Sequence, residues 1–183
     1  GVFSGADIVK ENGELLVSRK GSFKKYNFKD IILNEYLLFS PSATYKSCKL
    51  KKFTPYPNDI LLEDWYMNLK ITENGGYLIA LTETLILYRR HSNNTSLQSS
   101  RLHDDRRKIL SLFKNSPYYN MAKTALIYTI ACESVSFNKK NTLLFLLKST
   151  LMNPRLIFRK NTLVTIVKFI IPKKYLKKKL EGQ

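Results

Sequence analysis

Apolar residues, with Ser4 and Asp7 among them, run through Val2–Val9, "VFSGADIV", stop at Asn12-Gly13 and resume in "ELLVS". That pattern predicts two strands joined by a tight turn, because Asn-Gly readily takes the left-handed backbone a hairpin needs. "SRKGSFKKYN" reads as a basic, glycine-bearing loop, and "FKDIILNEY" places Phe28, Ile31, Ile32 and Tyr36 at helical spacing. "LLFSPSATYKS" is expected to be a short apolar strand broken by Pro41, and the two prolines of "FTPYPND" predict a loop. Leu62, Trp65 and Leu69 then form one stripe of a helix from about Glu63 to Glu73, which Asn74-Gly75-Gly76 closes. "YLIALTETLILYRR" is strand material around an expected turn near Thr82-Glu83. From Asn94 onward the pattern changes to four helical segments, opening near Thr95, Pro117, Asn138 and Pro154. No internal repeat is present.

The 183 residues, 44% of them hydrophobic and with 11 Tyr and 10 Phe, suffice for a packed core and argue against wholesale disorder. Charge divides the chain more sharply than hydropathy does. Residues 1–90 carry 13 Lys and Arg against 10 Asp and Glu, whereas residues 91–183 carry 18 against 4. The second half therefore holds +14 of the net +17, and such a half favours an anionic partner, a membrane surface or a nucleic acid. Two isolated cysteines, Cys48 and Cys132, fit a reducing compartment rather than a disulfide scaffold, so a cytoplasmic location is expected. No apolar run approaches the ~18–20 residues of a spanning helix. A first residue of Gly1 inside strand-like sequence suggests a piece whose natural N-terminal part lies upstream.

Within Leu61–Ser96 two motifs stand at a fixed separation: Glu63-Asp64-Trp65 opening a helix, and Tyr88-Arg89-Arg90-His91-Ser92-Asn93-Asn94-Thr95-Ser96 closing a strand. Together they resemble the family 2 glycosyltransferases, whose pattern is Glu-Asp-aromatic, a glycine turn, a Leu-rich strand, then Tyr-Arg-x-His-x-x-Asn-x-Ser. "GADIVKENGELL" and "FSPSATYKS" agree with that family in order, so the likeness covers about residues 1–100. The resemblance implies an α/β fold: the second half of the GT-A nucleotide-diphospho-sugar transferase fold over residues 1–93, the acceptor side, followed by an all-helical basic region over 94–183. The family's Asp-x-Asp metal motif is absent from this chain and would lie upstream with the nucleotide-binding half.

The resemblance also implies the roles. An acceptor hydroxyl attacking an anomeric carbon must lose its proton, and a carboxylate within hydrogen-bond reach can take it. Asp64 matches the base position of an inverting transferase, with Glu63 as its support. Acids in a first helical turn ordinarily just favour the helix dipole, and that is the bland alternative for both. His91 would ligate the divalent ion (Mg or Mn) of the complete enzyme or donate to the leaving phosphate, and Arg89 would neutralise charge there. Trp65, Ser40 and Ser42, with Thr44, are the remaining substrate-side candidates, although Trp65 lies on the stripe expected to be buried. A nucleotide-sugar donor and a glycan or lipid-linked acceptor are the implied substrates. His103-Asp104-Asp105 is not read as a metal site, since adjacent carboxylates diverge on a helix and nearby basic residues account for them.

In the tail, Arg159-Lys160, Lys173-Lys174 and Lys177-Lys178-Lys179 interleave with Phe158, Ile170-Ile171, Tyr175 and Leu180, with Pro172 expected to break the helix. Basic residues beside aliphatic runs suit an anionic bilayer surface better than a nucleic-acid groove, which makes the protein peripheral at the inner face of the cell membrane. A non-enzymatic basic adaptor for membrane or nucleic acid is the alternative to sugar transfer.

Overall fold

The structure is a computed structural model that describes residues 1–34, 38–53, 57–91, 94, 99–135 and 138–171, with backbone alone for Lys49, Ser99 and Ser100. Ser92, Asn93, Thr95 and Ser96 of the second motif, and the lysine-rich segment with Pro172, lie outside the described residues. The chain divides into two compact units, Gly1–Tyr119 and Asn120–Gln183, whereas its composition changes near residue 93.

In the first unit β1 (Val2–Val9) and β2 (Leu15–Arg19) are antiparallel across the Asn12-Gly13 turn, where Gly13 has a φ of 88°. β4 (Leu78–Arg89) runs parallel to β1, and with β3 (Lys24–Tyr26) the sheet order is β2-β1-β4-β3. The architecture is thus mixed α/β around a four-stranded sheet. Three details depart from the sequence pattern. The basic loop contains a strand, β3 (Lys24–Tyr26), held only by antiparallel pairing to β4. Such a short strand carries no periodicity of its own, so nothing local announces it. The apolar segment around Pro41 forms no strand beyond a single bridge between Thr44 and Val2; Ser40–Ser42 instead makes a 3-10 turn, as a proline near its start favours.

The expected turn at Thr82-Glu83 does not exist either. β4 passes straight through it, and the pairing with β1 shifts register between Phe3 and Gly5 and again between Gly5 and Ala6. Polar residues that read as a turn are instead absorbed as bulges, with both side chains in solvent. Gly21 fits beside that irregular stretch because it has no side chain: a Cβ there would sit 1.7 Å from the Leu81 carbonyl oxygen. Gly21→Ala is therefore expected to force the β3 edge off β4 and destabilise the unit by about 1–3 kcal/mol. A urea-unfolding midpoint equal to that of the parent would refute this.

Three helices flank the sheet. α1 (Phe28–Leu33) opens with a capping box in which Asn27 accepts from the Asp30 N–H and Asp30 accepts from the Asn27 N–H. α2 (Ser47–Leu50) is one turn. α3 (Glu63–Glu73) ends at Gly75, φ 77°, with the Gly76 N–H donating to Ile71 and the Gly75 N–H to Thr72, a Schellman closure that the glycine pair permits. The core joins Phe3, Ala6, Ile31, Trp65, Leu69 and Leu78. α4 (Ser99–Ser111) belongs to the same unit, and Phe113 beyond it lies 5.9 Å from Phe28 and 6.4 Å from Tyr66, ring to ring.

The second unit holds α5 (from Tyr119 at the unit boundary to Ser134), α6 (Lys139–Met152), a 3-10 segment (Pro154–Phe158) and α7 (Lys160–Ile170). The fourth helical segment thus begins as a tighter 3-10 stretch, and α7 starts only after Arg159. Among the described residues no helix is long and apolar enough to cross a membrane.

Candidate functional site

Asp64 stands in the first turn of α3 and is partly buried. Its Oδ1 accepts a hydrogen bond of 2.6 Å from the Trp65 N–H, one of the helix-start donors with no intrahelical partner. That bond fixes one carboxylate oxygen and leaves the other without a protein hydrogen bond among the described residues. Glu63 is exposed beside it. Trp65 points inward, 5% exposed, and its indole N–H donates to the Ile31 carbonyl at 3.3 Å, so its ring is core and offers no sugar platform.

The backbone ahead of Asp64 is held from a distance. Asp105 on α4, 6% exposed, accepts from the Leu61 N–H at 2.8 Å and the Leu62 N–H at 2.7 Å, both through Oδ2. Leu62 is the N-cap of α3 and has no side-chain cap of its own. Asp105 therefore accepts, from another helix, the N-cap N–H that the N3 Glu or Gln of a capping box would accept from locally, and fixes the residue before it as well. Sequence reasoning treated the acid only as a partner for nearby basic residues, which is true of Asp104, paired with Arg107 at 2.7 Å. A cleft of about 430 Å³ runs along the segment leading into α3, lined by Asp59, Leu61, Arg101, Asp105 and Lys108. The Lys108 ammonium bonds Asp59 and holds its carboxyl below the usual carboxylate range.

The second motif closes β4. Arg89 pairs with Val9, the Arg90 N–H donates to the Val9 carbonyl, and both arginine side chains are exposed, as is His91. Asn94 fixes the turn that follows. Its Oδ1 accepts from the His91 N–H at 2.6 Å and its Nδ2 donates to the Tyr88 hydroxyl at 3.1 Å. The asparagine of the motif thus ties the histidine back to the tyrosine, a side-chain-to-backbone turn that its type makes well.

Ser42 lies elsewhere in the unit and is fully engaged. Its hydroxyl donates toward the Phe39 and Ser4 carbonyls, at 2.7 and 2.9 Å, and accepts from the Ser4 N–H at 3.0 Å. It stitches the 3-10 turn to β1. Ser40 is half-buried in the same turn. Beside them Arg19, Lys20, Ser22 and Phe39 line a cleft of about 180 Å³. The Arg19 guanidinium lies 5.7 Å from the Phe39 ring, and Phe39 meets Tyr88 edge-on at 5.3 Å. This cationic, ring-walled cleft escaped notice in the sequence, where its residues sit in a featureless basic loop. Asp7 on β1 was missed as well: its Oδ1 is buried without a hydrogen-bond partner among the described residues.

No group of three or more His, Cys, Asp or Glu side chains suited to a metal ion occurs among the described residues. His91 is therefore the one residue proposed for metal contact, and the described residues alone do not make a site for a divalent ion. In comparisons with known proteins, the chain matches no family model, no curated sequence and no solved structure.

Proposed function

We infer that the chain is the acceptor-side portion of an inverting family 2 glycosyltransferase of GT-A type, moving a sugar from a nucleotide-sugar donor to a glycan or lipid-linked acceptor. The observation that carries this is Asp64: a carboxylate in the first turn of a helix, one oxygen anchored by a backbone N–H and the other without a protein hydrogen bond among the described residues. The backbone anchor holds and aims the carboxylate. In the reaction the acceptor O–H proton passes to the open oxygen of Asp64 as the acceptor oxygen bonds to the anomeric carbon. The bond from that carbon to the diphosphate oxygen breaks, and the diphosphate leaves with the electron pair.

In the complete enzyme a divalent ion would be held by residues upstream, with His91 the one candidate ligand here, and no step is assigned to it. His91 and Arg89, at the mouth of β4, serve as hydrogen-bond and charge partners of the leaving phosphate. The turn locked by Asn94 gives His91 a defined position for this, whereas Arg90 follows the free position of the motif. His91→Ala in the complete protein is accordingly expected to lower transfer by about tenfold or more, and Arg90→Ala by less than about threefold. Equal effects of the two, with unchanged metal dependence, would return His91 to an ordinary surface histidine. The reading as a whole is tested by assaying the complete protein against nucleotide sugars with Mg or Mn, and failure to turn over any of them would sink it. The 183-residue chain alone is expected to be inert.

A further inference from the structure

Two helices of the second unit, α6 and α7, bury hydroxyls where a helix ordinarily buries leucine. The buried positions of α6 are Thr142 and Ser149, and those of α7 are Thr162 and Thr165. Each hydroxyl is satisfied inside the unit. Thr142 donates to Asn138 at 2.9 Å, Ser149 to Leu146 at 2.9 Å, Thr165 to Asn161 at 2.7 Å, and Thr162 to Leu156 at 2.5 Å while meeting the Tyr128 hydroxyl at 3.0 Å. Many of the large apolar side chains on these elements are exposed instead, although Leu156 is buried. Leu144, Leu147, Leu151, Phe158, Leu163 and Ile170 are between 55% and 85% exposed.

A soluble helix pair puts its leucines inward and its hydroxyls outward. Small hydroxyl residues at the helix contact, with apolar residues outside, are the arrangement favoured where the surroundings are hydrocarbon, because the apolar effect then gives no reason to hide leucine. The charge on the same elements narrows the choice of surroundings. Residues 139–171 hold seven Lys and Arg and no Asp or Glu. Two copies of this face would bring like charges together, and a nucleic acid would leave the leucines in water. A bilayer with anionic headgroups satisfies both features at once.

We propose that the outward face of α6, the 3-10 segment and α7 is a monotopic membrane-docking surface, seated in the headgroup layer of an anionic bilayer. The apolar residues insert and Lys148, Arg155 and Lys160 engage phosphates. No helix need cross the membrane for this, and none can among the described residues. The surface is independent of the transfer chemistry, because its test reads binding alone.

The test is co-sedimentation of the 183-residue chain with phosphatidylcholine vesicles, with and without phosphatidylglycerol, beside a duplex DNA shift at equal salt. Wild-type chain should bind the anionic vesicles. Leu151→Ser/Phe158→Ser, at the two most exposed apolar positions, should weaken binding by about tenfold or more with an unchanged circular dichroism spectrum. Lys148→Gln, Arg155→Gln and Lys160→Gln should each weaken it by about fivefold. Unchanged lipid binding by the double variant would overturn the proposal. So would tight DNA binding without lipid preference, or a wild-type dimer that the double variant dissociates while lipid binding stays absent.

Discussion

Asp64→Asn in the complete protein is expected to reduce sugar transfer by about 10²–10⁴-fold, with donor binding and folding close to wild type. The amide keeps the shape of the carboxylate, and its carbonyl oxygen can still accept from the Trp65 N–H, so the local anchor survives. What is lost is the proton acceptor on the open side. An acid serving only the helix dipole would contribute about 0.3–1 kcal/mol to stability and nothing to the rate. The two roles therefore separate cleanly: a large fall in kcat with a small fall in melting temperature supports the base, and the reverse ends the assignment. Glu63→Gln, on the exposed neighbour, should change the rate far less.

Asp105→Ala should produce the largest loss of stability among changes at this site. It removes the acceptor of two backbone donors, and hydrogen bonds to charged groups contribute about 1.5–3 kcal/mol each. Water entering the adjacent cleft can recover part of this, so a net cost of about 2–4 kcal/mol is expected. Both bonds use one carboxylate oxygen. Asp105→Asn can therefore retain both with its carbonyl oxygen and should cost about 1 kcal/mol. Denaturant midpoints of the two variants test this ordering. If alanine and asparagine were equally mild, the clamp would be of no consequence to α3. Because α3 carries Asp64, the alanine variant should also lower kcat in transfer, while the asparagine variant restores it.

Features set by local chemistry were legible in the chain. Asn12-Gly13 announced its hairpin, Asn74-Gly75-Gly76 the end of α3, and the expected stripe placed Trp65 and Leu69 on the buried side of that helix, whereas Leu62 is its half-buried N-cap. Features set by distant partners were not. β3 exists because β4 is beside it, and the polar pair Thr82-Glu83 stays in strand because bulges against β1 absorb it. Asp105 resembles its neighbour Asp104 in sequence, yet one holds the backbone ahead of α3 and the other pairs with Arg107 on its own helix. Ser42 read as a substrate-side hydroxyl, whereas it bonds three backbone groups of its own turn and β1. In α6 and α7 helical periodicity was plain, but which side faces inward depends on what the helices meet. Ordinary expectation assigns that side to leucine, and here threonine and serine occupy it.

The reach of Asp105 to Leu61 and Leu62 also governs where the chain can be cut. Trimming at residue 93, where the composition changes, would strip away the acceptor that closes the start of α3, along with Phe113, whose ring sits near Phe28 and Tyr66. The product would keep every strand and still frayed at the turn that bears Asp64. Trimming after Tyr119 retains both contacts. Anyone isolating the sheet-bearing piece for crystallisation or isotope labelling should carry α4 with it.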